Sequence, residues 1–178
     1  MRYAAFVLTL AGVACLTGCS SLISLNPFVA EGQTITDPAL AGVWKGSAEE
    51  VDTVTIQPKG ALYALHYSDG KSESMDFEGR LARVGDAEVL DLITTQDSGF
   101  AVPVHMLIRL WPEAGKLKFA YLQSDWLRQQ AKRSLATQES HERTLITTQG
   151  DAVVQFLKKF GGDARAYSGD LTEMVKAK

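Results

Sequence analysis

Regularly spaced turn signals most constrain the fold that this chain of 178 residues can adopt. Between residues 40 and 123, these signals separate stretches that have the length of β-strands. Short stretches bounded by glycine and polar residues are typical of antiparallel strands joined by hairpins. The signals are Gly46, Lys59-Gly60, Asp69-Gly70, Gly85-Asp86, Ser98-Gly99 and Ala114-Gly115.

Apolar and polar side chains alternate within these stretches, so each predicted strand has one apolar face. An antiparallel sheet that buries one face and solvates the other produces this pattern. About seven consecutive strands of this kind form a β-meander that can curl into a small barrel or a curved sheet. The predicted buried faces are Tyr63, Leu65 and Tyr67; Met75, Phe77 and Leu81; Val102, Val104, Met106, Ile108 and Leu110; and Leu117, Phe119 and Tyr121.

Beyond the last predicted strand, the hydrophobic period changes to that of α-helices. Ser124 is a candidate N-cap for a first helix, and Thr148 and Asp151 resemble a capping box before a second. A third, short helix is predicted over 168–175. Strands followed by two to three C-terminal helices predict an α+β fold. The helical stripes are Leu127, Ala131 and Leu135, then Val153, Phe156, Leu157 and Phe160 before Gly161-Gly162.

The first 18 residues have the layout of a secretory signal peptide. Arg2 precedes fourteen uncharged residues, 3–16, which are fewer than the ~20 of a membrane-spanning helix. The next residues, Leu16-Thr17-Gly18-Cys19, resemble the lipobox of bacterial lipoproteins. This resemblance implies removal of 1–18, diacylation of Cys19 and anchoring in a membrane. In a bacterium with two membranes, Ser20 after the cysteine implies the outer one.

Cleavage before Cys19 leaves the mature chain with a single cysteine, because Cys15 is removed with the signal. A lipidated Cys19 cannot form a disulfide, bind a metal or act as a nucleophile. Of the 18 Lys and Arg residues, loss of Arg2 leaves 17 against 21 Asp and Glu, a formal charge of −4. This mild acidity lacks the basic patch of nucleic-acid-binding proteins, so we expect no nucleic-acid partner.

Residues 19–38 contain Pro27, Gly32 and Pro38 and show no sustained period. They are predicted to be the lipidated cysteine and a tether, with Leu25 and Phe28 as its packing residues. Residues 39–178 are then a single domain.

The first predicted strand of this domain begins with Gly42-Val43-Trp44, and Gly-x-Trp at this place resembles the lipocalin or calycin family. The resemblance implies an antiparallel barrel that holds a small apolar ligand. It also implies that Trp44 closes one end beside a basic residue from a late strand, for which Arg109 and Lys118 are the candidates. A tryptophan in an ordinary sheet core gives the same three-residue pattern.

Strand parity, meaning the face of the strand on which each residue lies, and this resemblance together give the candidate ligand-binding residues. Aromatic and aliphatic side chains on the inner face would contact the apolar body, and one histidine and one arginine would supply polar contacts. The candidates are Trp44, Tyr63, Phe77, His105, Met106, Arg109 and Phe119.

We find no sequence motif of catalysis or cofactor binding, whether nucleophile elbow, P-loop or dinucleotide fingerprint. His66, His105 and His141 lie in separate segments without metal-ligand spacing, so no metal site is expected. Asp91 interrupts an apolar strand and could pair with His105 or Arg109. Such a pair is either an acid/base couple or a structural ion pair, and Asp91 could also lie on a solvated face; we favour the two non-catalytic alternatives. We expect no cofactor and no enzymatic activity.

These patterns predict a lipid-anchored lipoprotein of the bacterial cell envelope, most simply on the outer membrane with its domain in the periplasm. The leading hypothesis is a non-enzymatic binding module for a small apolar ligand, which requires a cavity of a few hundred Å³. The alternative is a structural or accessory subunit of an outer-membrane assembly, which requires an exposed apolar patch. The membrane, through Cys19, and either the ligand or an envelope protein would be its partners.

Overall fold

Eight antiparallel strands close into a barrel in the computed structural model of this chain. The structure describes residues 21–46, 52–95, 102–122, 124–140, 143–167, 169 and 171–177. The predicted signal peptide, Cys19 and His141 lie outside these residues.

The described residues contain eleven strands, two α-helices and three short 3₁₀ helices. The 3₁₀ helices are Glu31–Gln33, Pro38–Leu40 and Ala164–Ala166. The other elements are β1 Ser21–Ser24, β2 Gly42–Gly46, β3 Thr53–Lys59, β4 Leu62–Ser68, β5 Ser74–Val84, β6 Ala87–Thr94, β7 His105–Glu113, β8 Lys116–Tyr121, α1 Asp125–Ser134, β9 Thr137–Ser140, β10 Arg143–Ile146, α2 Ala152–Phe160 and β11 Thr172–Lys176.

The barrel consists of a seven-stranded meander and one strand from the C-terminus. Strands β2 to β8 pair with their successive neighbours, as the alternating pattern predicts. Strand β11 then pairs with β8 on one side and β2 on the other, where Met174 lies opposite Leu117 and Gly46. The barrel therefore has eight strands where the sequence predicted about seven.

The helix predicted over 168–175 is wrong, because the second half of that range belongs to β11. A seven-stranded sheet leaves the backbone donors and acceptors of its two edge strands unpaired. β11 forms backbone hydrogen bonds with both edge strands at once. These hydrogen bonds outweigh the local helix preference of so short a segment.

The barrel wall separates two hydrophobic cores. One fills the barrel and includes Trp44, Leu81 and Leu90, and the other lies between the outer wall and the helices. Strand β6 is buried on both faces, since Leu90 points inward and Val89 belongs to the outer core. This double cover removes the polar face that an antiparallel strand usually shows.

Both described α-helices lie where the sequence predicts them. The Ser124 hydroxyl accepts a hydrogen bond from the Leu127 N–H at 3.1 Å, which confirms the N-cap of α1. The capping box of α2 is wrong, because Asp151 makes no side-chain cap bond. Thr148 instead accepts a hydrogen bond from the Ala136 N–H at 2.7 Å and joins the start of the β9–β10 hairpin to its end. That hairpin separates the two helices.

The segment predicted as a tether is packed against the domain from Ser21 onward. β1 runs parallel to β10, and the end of β1 contacts the start of β7 through Ser24 and His105. Phe28 and Val29 are buried in the outer core, whereas Leu25 is 40% exposed. The packed domain therefore begins well before residue 39.

Candidate ligand-binding cavity

A cavity of about 390 Å³ occupies one half of the barrel. Its wall is mainly aliphatic and aromatic because most of the inward strand positions that line it are apolar. Residues at the end of the cavity, such as Met75 and Tyr121, are 39% and 42% exposed, so the cavity opens at that end. Along its depth the apolar lining is Val54, Ile56, Leu65, Met75, Phe77, Leu90, Leu92, Met106, Ile108, Leu110, Leu117, Phe119 and Met174.

The opposite end of the barrel is closed by a plug that precedes β2. Leu40, at the end of a 3₁₀ turn, is 1% exposed, and its carbonyl accepts a hydrogen bond from the Trp44 indole N–H at 2.9 Å. The Tyr63 hydroxyl accepts a hydrogen bond from the Asp37 N–H at 2.6 Å and donates to the Asp37 carbonyl at 3.0 Å. These bonds hold the plug against the barrel floor and satisfy polar groups that would otherwise be buried alone.

The Gly-x-Trp motif has a specific steric role at this closed end. The ammonium group of Lys176, on β11, lies 5.2 Å from the Trp44 ring centroid and donates to the Ala39 carbonyl at 2.9 Å. The lysine stem passes directly over Gly42, where a Cβ would lie 2.7 Å from its Cε. Gly42 also has φ +136°, which favours glycine. The motif therefore leaves room for a cation above the tryptophan.

The basic partner of Trp44 is thus Lys176, and the expectation of Arg109 or Lys118 is wrong. Arg109 lies outside the barrel, with its guanidinium carbon 4.6 Å from the Trp111 ring and 5.4 Å from the Tyr167 ring. Burial raises the pKa of Tyr167 to about 12, although the charge of Arg109 acts in the opposite direction. Lys118 forms ion pairs with Glu113 and Glu173.

Polar side chains surround the open end of the cavity, which we call the mouth. Asp52, Tyr67, Glu73, Tyr121 and Thr172 line it together with the exposed part of Met75. Burial raises the pKa of Tyr67, and the nearby Asp52 carboxylate, within hydrogen-bonding range of the phenol, raises it further. A negative charge beside a phenol disfavours its ionised form, so Tyr67 is a neutral hydrogen-bond donor at physiological pH.

The structure divides the seven predicted ligand-binding residues into three groups. Phe77, Met106 and Phe119 line the cavity. Trp44 and Tyr63 are inside the barrel at the closed end, where they form its floor. His105 and Arg109 are on the outer wall, so neither is placed to contact a molecule in the cavity.

Asp91 and His105 form a buried pair beneath the N-terminal segment. Oδ1 of Asp91 lies 2.9 Å from Nδ1 of His105, and Oδ2 accepts the N–H groups of Phe28 and Val29 at 2.9 and 3.1 Å. The Asp91 side chain is fully buried, and that of His105 is 8% exposed. Each carboxylate oxygen is engaged, so the pair fastens residues 28–29 to the barrel, which agrees with the structural interpretation.

The described histidines do not converge on a metal site. His66 on β4 pairs with Asp76 at 2.7 Å on the outer wall. His105 is on β7, where it pairs with Asp91. Among the residues that the structure describes, no group of three His, Cys, Asp or Glu side chains is placed to hold a metal ion. No helix in that part of the chain is long and apolar enough to cross a membrane.

Sequence reasoning missed most of the mouth and part of the cavity wall. Parity placed Tyr67, Met75 and Tyr121 on the buried face but did not show that they surround an opening. Met174 was missed because its segment was predicted as a helix. Asp52 and Glu73 lie near predicted turns. The pattern of one strand does not indicate which turns come together at the same end of a barrel.

Comparisons with protein-family models, with curated proteins and with solved structures gave no match.

Proposed function

We propose that this protein is a lipid-anchored envelope lipoprotein whose barrel binds a small apolar ligand in its interior. The observation that carries the proposal is the apolar cavity of about 390 Å³, open at the mouth and closed by Leu40 and Trp44. Cavities that bind small molecules are typically ~300–1,000 Å³ and mostly apolar, with a few polar groups that orient the ligand. This cavity has that composition and lies at the smaller end of that range.

The position of the plug supports this proposal. A barrel of eight strands is wide enough to be filled by side chains or to hold one small ligand. Here the floor is filled by large residues, including Trp44, Tyr63 and Leu81, whereas the half near the mouth is not. At Gly79 the wall is closely packed, because a Cβ there would lie 2.9 Å from Leu65 Cδ1 and 3.0 Å from Leu90 Cδ1.

Methionine side chains supply reporters for a binding test. Of the four methionines, Met75, Met106 and Met174 line the cavity, and Met1 belongs to the predicted signal peptide. The full chain, labelled with ¹³C at the methionine methyl groups and held in phosphatidylcholine nanodiscs, would be titrated with octanol. We expect saturable shifts of the Met106 and Met174 signals, assigned through Met→Leu variants. Partition of octanol into the bilayer alone would not move these methyl groups, which face the barrel interior.

Two matched substitutions on neighbouring strands provide the control. Val54 lines the cavity, whereas Val43, on β2, is 38% exposed and does not line it. Val54→Phe should weaken octanol binding at least tenfold, because the added ring occupies the cavity. Val43→Phe adds the same volume outside and should leave binding unchanged. If a folded protein shows no saturable Met106 or Met174 shift, the interior is not a binding site, and the accessory-subunit hypothesis becomes the better one.

A further inference from the structure

Among the described residues, the mouth of the cavity is lined by negative charge and by no cation. The carboxylates of Asp52 and Glu73 both line it, and no Lys or Arg is among the described lining residues. Neither carboxylate is in an ion pair with another described residue.

The turn between β4 and β5 contains one lysine, but it does not neutralise the mouth. Lys71 is exposed and does not line the cavity. The Asp69 carboxylate in the same turn accepts the N–H groups of Lys71, Ser72 and Glu73. These backbone hydrogen bonds, together with the charge of Lys71, hold the pKa of Asp69 below its usual value, so the charges of Lys71 and Asp69 offset each other beside the mouth.

Two tyrosine rings accompany the carboxylates. Tyr67 and Tyr121 both line the mouth, and Tyr67 lies within hydrogen-bonding range of Asp52. Aromatic faces together with carboxylates attract an ammonium group, through the ring quadrupole and through direct charge interaction. The same arrangement repels a carboxylate or a phosphate, which would have to give up water while facing two negative charges.

We propose that the natural ligand is an amphiphile with an apolar body and a cationic amine head, and that a fatty-acid carboxylate is excluded. The apolar body occupies the cavity between Phe77, Met106 and Phe119, and the head lies at the mouth near Asp52, Glu73 and Tyr67. This inference rests on the proposed function, because it assumes that the cavity binds a ligand.

Three probes of equal chain length separate head-group preference from apolar binding. Octylamine, octanol and octanoate would be titrated at pH 7 into the ¹³C-methionine-labelled full chain in zwitterionic nanodiscs, with Met106 and Met174 as reporters. We expect octylamine to bind at least about fivefold more tightly than octanoate, with octanol between them, as a partly exposed charge interaction would produce. Equal or tighter binding of octanoate would overturn the proposal.

Neutralising the mouth tests whether these carboxylates cause the preference. Asp52→Asn combined with Glu73→Gln should reduce the ratio of octylamine affinity to octanoate affinity to about one. The control is Asp86→Asn, which removes an exposed carboxylate from the β5–β6 turn at the closed end. A preference that survives in the double variant would overturn the assignment of the head to the mouth.

The outcomes for the two proposals are distinct. If octanol binds but octylamine has no advantage, the cationic-head proposal fails and the binding function stands. If none of the three probes shifts Met106 and Met174, the binding function itself fails.

Discussion

Two aspartate–histidine pairs in this molecule differ mainly in burial. Asp91 and His105 are almost fully buried, whereas the side chains of Asp76 and His66 are each 52% exposed. The contact distances are similar, at 2.9 and 2.7 Å. Exposed pairs contribute ~0–1 kcal/mol to stability, whereas removing one partner of a buried pair is costly because the other is left without a partner.

We therefore predict that Asp91→Ala lowers the free energy of unfolding by about 3 kcal/mol, since it leaves His105 and two backbone N–H groups unsatisfied. Asp76→Ala should change it by less than about 1 kcal/mol. Urea denaturation followed by tryptophan fluorescence measures both. Similar effects of the two substitutions would contradict the view that Asp91 fastens residues 28–29 to the barrel.

The contact between Gly42 and Lys176 gives a second prediction at this scale. Gly42→Ala should destabilise the protein by about 1–3 kcal/mol, because a Cβ collides with the lysine stem and the backbone has a positive φ. Truncating the stem with Lys176→Ala removes the collision but not the backbone strain. A double-mutant cycle should therefore show that the two substitutions are less destabilising together than the sum of their separate effects. Strict additivity would argue against the steric role of the motif.

At the scale of elements, strand β11 differs from every other barrel strand in its origin. It comes from the C-terminus, beyond both α-helices, and it hydrogen-bonds to both of its neighbours. Strand β9, also outside the meander, pairs only with β10 among the described strands. Strands paired on both sides open only with large parts of the structure, whereas edge strands open locally.

Hydrogen exchange can test this difference. We predict that the amides of β11 exchange as slowly as those of β8, and that the amides of β9 exchange at least tenfold faster. Mass spectrometry of peptic fragments would resolve residues 137–140 from 172–176. Exchange of β11 as fast as that of β9 would mean that the barrel is readily open between β2 and β8.

The meander was predictable from the sequence because its pattern is local. Strands β4, β5, β7 and β8 have the period-2 apolar pattern between turn signals, and the register of a hairpin follows from its turn. The same parity placed His105 and Arg109 opposite Met106 on β7, so their exclusion from the cavity was already implied. Their selection as ligand contacts considered residue type alone.

The remaining features depend on contacts between distant parts of the chain. β11 has only five residues, and Met174 is its one buried side chain, so no local period identifies the strand. Phe28 and Val29 are buried against apolar side chains on the outer face of β6 and β7. In the sequence these two strands look like ordinary strands, so nothing indicates that another segment covers their outer face. The cavity is the part of the barrel interior that the inward side chains leave unfilled. Strand parity shows which side chains point inward but not how much of the interior they fill.

For the whole molecule, the proposed lipid anchor and the packed N-terminal segment have a joint consequence. The lipobox resemblance places the anchor at Cys19, and the described domain begins at Ser21. We predict that Cys19→Ala abolishes incorporation of labelled fatty acid and releases the protein from the membrane fraction. Metabolic labelling and fractionation measure both effects. Unchanged labelling would contradict the assignment of the anchor.

If Cys19 is the anchor, the barrel is held close to the bilayer with one side facing it. Two peptide units span at most about 7 Å, so the β1–β10–β9 edge must lie near the membrane surface. In the barrel order, β3 lies directly across from β7, the strand that β1 contacts. Ser140, whose neighbour Arg143 pairs with Ser21, is therefore on the membrane side, and Gln57 is on the far side.

Single-cysteine labelling can test this orientation, because lipidation of Cys19 leaves the mature chain without a free thiol. A fluorophore at Ser140→Cys should be quenched strongly by nitroxide-labelled lipids in nanodiscs, whereas the same fluorophore at Gln57→Cys should be quenched weakly. Both positions are exposed, so labelling should not disturb the core. Equal quenching at the two sites would mean that the domain tumbles freely on its anchor, and the packing of residues 21–29 would then not set the orientation of the barrel.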